Sequence, residues 1–173
     1  IVHVRLCRFC TENKVLTRPI QGNPYHVEVG FRPFDVISMD LMINLPLNPF
    51  DPSSAKTHLL VIMDHYSRWI QIYPVKYKKS SNIQDIFINQ WVLQYTAPRI
   101  IITDLGTEFI NKVGKEIATI ISAQHNPTVG YIPQQNSIIE RDNYKIKLYI
   151  QQFSNKQESS ITYLPYVQAT INQ

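Results

Sequence analysis

The spacing of apolar positions along the chain predicts a sheet that is covered by helices. Asp35–Leu45 is an almost continuous apolar run, which indicates a buried strand. His58–Asp64 and Trp69–Val75 are separated by the four residues His-Tyr-Ser-Arg, and this pattern predicts an antiparallel hairpin. The remaining predicted elements are strands at Arg99–Thr103 and Thr128–Ile132, and helices at Ser81–Tyr95 (with a serine near its start), Lys112–Ile121 and Gln134–Phe153. The order predicts an α/β fold in which three antiparallel strands are followed by parallel strands, with helices on the sheet.

Composition and charge exclude few classes of protein. Hydrophobic residues make up 44% of the 173 residues, a fraction that suits a packed core rather than a disordered tail. The net charge of +4 fits a nucleic-acid partner, although many other proteins carry as much. No apolar run reaches the roughly 18 residues that a membrane span needs, so we expect no membrane partner. Because the sequence does not begin with Met, we expect it to be a piece of a longer protein.

Three acidic residues stand out by their positions. Asp40 lies inside an apolar strand, Asp104 ends another strand just before Gly106, and Glu140 lies in the last predicted helix. Two carboxylates on neighbouring strands repel each other unless a divalent cation lies between them. Oxygen ligands of this kind suit Mg²⁺ or Mn²⁺, and a pair of such ions can serve phosphoryl transfer. Taken singly, each acid could instead be an ordinary cap or surface charge.

Two further acids have plainer interpretations. Asp64 follows an apolar strand and precedes a turn, so we expect a structural role in that turn rather than metal binding. Glu108 is expected on the surface of a loop or of the next helix.

Motifs along nearly the whole chain resemble those of retroviral and gypsy-like retrotransposon integrases. Thirty-five residues lie between Asp104 and Glu140, the spacing of that family's second and third catalytic acids. The similar segments are FDVISMDLMINLP, LLVIMDHYSRWIQIYPV, RIIITDLGTEF, YIPQQNSIIER and YLPYVQATIN.

The resemblance implies a ribonuclease H-like catalytic core at residues 34–157. Residues 1–20 would be the remnant of a zinc-binding domain, residues 21–33 a linker, and residues 158–173 the start of a following helix. It also implies that Asp40, Asp104 and Glu140 bind Mg²⁺ or Mn²⁺. The enzyme would be a polynucleotidyl transferase and endonuclease that trims the 3′ ends of element DNA and joins them to target DNA. Its partners would be these DNAs and further copies of the chain, without a nucleotide cofactor. It would act in the nucleus, after a cytoplasmic pre-integration complex.

Cys7 and Cys10 have the two-residue gap of a zinc knuckle, but zinc takes four ligands. The resemblance makes the pair the end of a His₂Cys₂ site whose two histidines lie upstream of this sequence. We therefore expect Zn²⁺ only in the intact full-length protein. A redox pair or two unrelated thiols remain open alternatives.

Polar and basic residues around Glu140 are candidate DNA contacts. Lys147 lies seven residues after Glu140, on the same helical face, and Arg141 and Lys145 flank that face. Basic residues beside a metal site can bind phosphates, although Arg141 and Lys145 could equally form a solvated basic face. Gln134, Gln135 and Asn136 precede the helix and are candidates for contacts with bases or sugars.

Two departures from the integrase pattern keep a second hypothesis open. Ile132 stands where the family commonly has His, and Ser137 where it commonly has Gly. The alternative is a catalytically inactive, domesticated core that acts as a DNA- or protein-binding module. A glycosidase-like pair of acids is disfavoured because aromatic residues are lacking around Asp104 and Glu140. A ribonuclease H proper would need a further acidic ligand.

Overall fold

The computed structural model describes residues 31–45, 57–104, 108–128, 141–150 and 160–173, which contain one five-stranded sheet. The strands are β1 (Val36–Leu45), β2 (Thr57–Asp64), β3 (Ile70–Val75), β4 (Ile100–Asp104) and β5 (Gln124–Thr128). Their spatial order is β3-β2-β1-β4-β5. β2 pairs antiparallel with β1 and β3, whereas β4 pairs parallel with β1 and β5. The predicted mixed sheet is confirmed.

Four α-helices accompany the sheet in the described ranges. They are α1 (Ser80–Ile86), α2 (Glu108–Ile121), α3 (residues 141–150) and α4 (Ser160–Ile171). Within these ranges no helix has the length and apolar character that crossing a membrane requires. Residues 151–153 and the first part of the predicted Gln134–Phe153 helix lie outside the described residues.

The predicted helix Ser81–Tyr95 differs from the structure at both ends. Lys79, not a serine, occupies the N-cap position of α1 and makes no side-chain capping bond. After Ile86 the chain continues as a π-helical segment, Phe87–Val92, in which hydrogen bonds span five residues rather than four. Accordingly, the amide of Leu93 donates to the carbonyl oxygen of Ile88 at 3.1 Å.

One other boundary was predicted wrongly, and one strand was not predicted. The helix predicted at Lys112–Ile121 begins earlier, at Glu108, because Ile110 belongs to the same buried stripe as Ile117. Of the strand predicted at Thr128–Ile132, only Thr128 lies within the described residues; it ends β5 (Gln124–Thr128), a strand that was not predicted. Its sequence, QHNPT, has no apolar alternation, and its parallel pairing with β4 defines it as a strand.

Each face of the sheet has its own helical layer. Ile37, Met39 and Leu41 of β1 pack in a cluster with apolar side chains of α1 and α2. The opposite face buries Met42 with side chains of α3 and α4. Because side chains alternate along a strand, Asp40 lies on the same face as Met42, beneath α3.

The helix α4 also covers the edge of the sheet at β3. Asn172 accepts a hydrogen bond from the Ile70 amide at 2.8 Å and donates to the Ile70 carbonyl oxygen at 2.9 Å. Gln168 accepts one from the Ile72 amide at 3.0 Å. These contacts satisfy backbone groups that an edge strand otherwise leaves open. The helix expected near the end of the chain therefore packs on the same sheet that carries Asp40.

Candidate active site

The register of two parallel strands places Asp40 and Asp104 at the same level of the sheet. The pairing of β1 with β4 runs from Val36 opposite Ile100 to Met39 opposite Thr103. Asp40 and Asp104 are the next residues on the two strands, whose backbones lie about 4.8 Å apart. Asp104 is also the last residue of β4, so the pair lies where ligands usually bind in α/β sheets. The side chain of Asp104 is outside the described part of the structure.

Hydrogen bonds hold the half-buried Asp40 carboxylate in one orientation. Its Oδ1 accepts from the Leu41 amide at 2.7 Å, and its Oδ2 accepts from Asn143 Nδ2 at 2.6 Å. Asn143 belongs to α3, which Ile146 and Ile150 anchor to the sheet. The packing of α3 thereby controls where the Asp40 oxygens point.

Asn143 is a site residue that the sequence analysis missed. It lies 103 residues from Asp40 in the sequence, so no local sequence pattern could predict the contact between the two side chains. One signal was available, because Asn143 follows Glu140 by three residues, a spacing that places two side chains on one face of a helix. Glu140, Gln134, Gln135, Asn136, Cys7 and Cys10 lie outside the described residues, and their predicted roles stay predictions.

The two candidate lysines of α3 differ in position. Lys147 is exposed and follows Asn143 by four residues, so it lies on the same edge of the helix as the contact with Asp40. Lys145 lies on the other side of the helix, where its Nζ binds Asp142 Oδ1 at 2.9 Å. Arg141 also approaches Asp142, with 4.0 Å between Nε and Oδ1. Phosphate contacts by either lysine remain predictions.

Asp64 has the structural role that was predicted for it. Its carboxylate is fully buried and accepts hydrogen bonds from the Phe34 amide at 2.9 Å and the Ser67 amide at 2.8 Å. The Ser67 hydroxyl donates to it as well, at 2.5 Å. Asp64 pairs with Ile37, which faces α1 and α2, so it lies on the face away from Asp40.

Two buried polar side chains share the face of Asp40. Both ring nitrogens of His65 and the hydroxyl of Ser38 lack a hydrogen-bond partner, as far as the described chain shows. Burial lowers the pKa of His65 to about 4; the nearby Arg68 acts in the same direction and Asp64 opposes it. His65 is therefore neutral near pH 7 and adds no positive charge on this face of the sheet.

A complete metal site is not contained in the described residues. Among them, no three His, Cys, Asp or Glu side chains are grouped closely enough to hold an ion. Asp40 is the one predicted metal ligand whose side chain is described. Glu108, expected on the surface, is the first residue of α2, and its side chain is outside the described part.

Comparisons of sequence connect the chain with retroelement proteins. No family model matches the chain. It is 29% identical over 124 residues to gypsy retrotransposon integrase-like protein 1 of Rattus norvegicus, covering 70% of the chain and 22% of that protein. It is 26% identical over 172 residues to the Pro-Pol polyprotein of simian foamy virus type 3, covering 98% of the chain and 14% of the polyprotein. The chain thus spans less than a quarter of the length of these curated relatives.

Solved structures share the fold. The simian T-cell lymphotropic virus intasome in complex with the PP2A regulatory subunit B56 gamma matches with a TM-score of 0.67 and 19% identity, over 95% of this chain and 56% of that one. The HTLV-2 integrase catalytic core domain in complex with magnesium (dimeric form) matches with a TM-score of 0.62 and 20% identity, over 83% of this chain and 90% of that one. The chain has retroviral polyproteins and a gypsy integrase-like protein as homologues. It has the ribonuclease H-like fold of integrase catalytic cores.

Proposed function

We propose that this chain is an integrase catalytic core that processes the 3′ ends of element DNA and transfers them into target DNA. In the first step water attacks the phosphorus of a phosphodiester near the 3′ end and displaces the 3′ oxygen of the element strand, so that the terminal nucleotides leave with the phosphate and the element strand ends in a 3′ hydroxyl. In the second step this 3′ hydroxyl attacks a phosphodiester of the target, forms a new phosphodiester with it and releases the 3′ hydroxyl of the cut target strand. The observation that carries the proposal is the register that sets Asp40 beside Asp104 on adjacent parallel strands. The homology to retroviral and gypsy-like proteins supports it.

The donor set fits a divalent cation. The Asp40 carboxylate is half-buried at the sheet level where β4 ends, and two neutral N–H groups orient it. Carboxylate oxygens are the ligands that Mg²⁺ and Mn²⁺ prefer. Asp40, Asp104 and Glu140 would hold the metal, and the similar HTLV-2 core was solved in complex with magnesium. When bound, such ions stabilise the negative charge that develops on the transferring phosphoryl group.

The protein's own contribution is orientation. Asn143 and the Leu41 amide each bind one oxygen of Asp40 and thereby help to hold the carboxylate in a defined orientation. Lys147, exposed on the same edge of α3, would contact a phosphate of DNA bound at Asp40.

Assembly and location follow from the same proposal. The similar solved proteins include an intasome and an integrase core in dimeric and trimeric forms. We propose that this chain binds element ends and target DNA as a homo-oligomer and acts in the nucleus. Zinc binding by Cys7 and Cys10 would belong to a longer protein.

A disintegration assay with Mn²⁺, which measures the reverse joining reaction, tests the function. We expect Asp40→Asn to lower the rate by more than about a hundredfold, because it removes a metal ligand. Asp35→Asn is the matched control, since Asp35 lies just before β1 and binds Arg99 on the surface, with 3.4 Å between Oδ2 and Nε. Equal activity of Asp40→Asn and the wild type would refute the proposal.

Asn143→Ala separates orientation from ligation. We expect a loss of about 10- to 100-fold that is partly restored by more Mn²⁺, because the carboxylate remains but is no longer held. An inactive wild type that still folds and binds Mn²⁺ would favour the domesticated binding module instead.

A further inference from the structure

The turn between β3 and α1 lies at the same edge of the sheet as the candidate active site. β1 and β3 both pair antiparallel with β2, so they run in the same direction, and β4 runs parallel to β1. The carboxyl ends of β3 and β4 therefore meet one edge of the sheet. Lys76–Lys79, which we name the β3 turn, directly follows the end of β3 at Val75.

The β3 turn presents positive charge and an aromatic ring to solvent. Its sequence is Lys-Tyr-Lys-Lys, and all four side chains are exposed. Tyr77 is 55% exposed, and the Nζ of Lys76 lies 5.3 Å from the centre of its ring. Of the residues that the structure describes, none forms a salt bridge with Lys76 or Lys79. These ammonium groups are available to an external anion.

Backbone hydrogen bonds give the turn a defined shape. The Lys79 amide donates to the Tyr77 carbonyl oxygen at 2.8 Å, and the Ile83 amide donates to the Lys79 carbonyl oxygen at 3.3 Å. Asn82 Nδ2 also donates to the Tyr77 carbonyl oxygen, at 3.4 Å. An ordered turn loses less conformational entropy when it binds a ligand than a flexible one does.

Local stability does not explain the lysine at position 79. Lys79 has the extended backbone of an N-cap residue (φ −118°, ψ 140°), but its side chain makes no capping bond and the first turn of α1 has no acid. Ser, Asp and Asn are favoured at that position, and a cation is unfavourable beside the positive end of a helix. A residue that opposes its local structure is typical of a functional surface.

The distance from Asp40 fits a DNA duplex. Asp40, Val61 and Ile72 lie in one row across β1, β2 and β3. Lys76 is two strands away and four residues further along, which gives about 10 Å across and about 13 Å along the sheet, or roughly 16 Å in all. That length equals about five base pairs at about 3.4 Å per step. From this placement we infer that the β3 turn binds backbone phosphates of the duplex whose reacting strand lies at Asp40. The inference rests on the proposed function for its choice of ligand.

The test is equilibrium binding of a fluorescein-labelled duplex of about 25 base pairs in EDTA, followed by anisotropy over a range of salt concentrations. Each lost phosphate contact reduces the slope of log affinity against log salt by about 1. We expect Lys76→Gln/Lys79→Gln to bind more weakly, with a slope reduced by about 2. Between about 50 and 200 mM salt the wild type should then lose about tenfold more affinity than this variant.

The matched control is Lys112→Gln/Lys115→Gln. Both residues are exposed on α2, which packs against β4 and β5 on the face of the sheet opposite Asp40. This variant removes the same net charge and is expected to keep most of the slope. The inference is overturned if the wild type does not bind the duplex, or if the turn variant matches the wild type or the control. Asp40→Asn in the joining assay tests the proposed function separately, because that assay reports chemistry at Asp40 and not affinity at the turn.

A second variant excludes misfolding as the cause of weaker binding. Lys79→Ser introduces a favoured N-cap residue, so its thermal midpoint should equal or exceed that of the wild type. We expect its salt slope to fall by about 1 nevertheless. Weaker binding by a protein that is at least as stable supports a phosphate contact, whereas unchanged binding argues that Lys79 contributes none.

Discussion

His65 is expected to make the folded protein sensitive to acid. Its side chain is only 3% exposed, and burial, with a smaller contribution from Arg68, lowers its pKa from 6.5 to about 4 against the opposing effect of Asp64. In the unfolded chain the pKa of His65 keeps the ordinary value of 6.5. Between pH 6.5 and about 4, His65 is therefore protonated in the unfolded chain but largely neutral in the folded one. The stability contributed by neutral His65 is therefore complete above pH 6.5 and is lost as the pH falls toward 4.

The size of the loss follows from the two pKa values. They differ by about 2.5, and each pKa unit corresponds to about 1.4 kcal/mol. The free energy of unfolding should therefore fall by up to about 3 kcal/mol between about pH 7 and pH 4 because of this residue alone. That is a large part of the stability of an ordinary domain, about 5–15 kcal/mol.

The assay is urea unfolding of the wild type and His65→Leu at several pH values between about 7 and 4. Leucine has a similar volume and does not titrate. All other groups titrate in both proteins, so the difference between the two free energies of unfolding isolates His65. This difference should shift by about 3 kcal/mol in favour of the variant as the pH falls. A difference that stays constant with pH would show that the folded protein accommodates the imidazolium, and the reasoning from burial would fail.

Two further predictions concern the packing around the sheet. Asp64→Ala removes the acceptor of three hydrogen bonds and leaves the amides of Phe34 and Ser67 without that acceptor. The free energy of unfolding, measured with urea, should therefore fall by about 3–5 kcal/mol. A loss below about 1 kcal/mol would contradict the structural role. Gly114→Ala would place a Cβ 2.8 Å from Thr103 Cγ2 and 2.9 Å from His125 Nε2, beside the 2.8 Å hydrogen bond between those residues. Overpacking of this kind lowers the free energy of unfolding by about 1–3 kcal/mol. Thermal unfolding measures the effect, with the neighbouring exposed variant Lys115→Ala as the control. An unchanged midpoint would show that α2 shifts to make room for the added methyl group.

The main elements were predictable because their burial is periodic. β1, β2 and β3 have long apolar runs, and β2 ends at Asp64, an acid whose carboxylate accepts hydrogen bonds from the amides of Phe34 and Ser67. α1 and the π-helical segment that follows it were recognisable as one helical stretch from Ile83, Phe87 and Trp91, all fully buried. In each of these cases the side chains of one segment are enough to predict its secondary structure, and no contact with a distant segment has to be known.

The errors occurred where a distant partner determines the local structure. β5 has the sequence QHNPT, which pairs as a strand because β4 supplies parallel hydrogen-bonding groups beside it. The π-helical segment keeps Phe87 and Trp91 in the core that α1 shares with the sheet. Neither feature follows from intrinsic propensity, because tertiary packing outweighs preferences of less than about 1 kcal/mol per residue.

The sequence by itself determined the strand pattern, the unusual position of an acid within an apolar run at Asp40, and the separation of Asp104 from Glu140. Tertiary structure alone decided that Asp40 and Asp104 share a level of the sheet, that Asn143 binds the Asp40 carboxylate, and that the β3 turn lies at the same edge. The physical reason is that periodicity reports how each segment is buried, whereas strand register and helix docking depend on contacts between residues far apart in the chain.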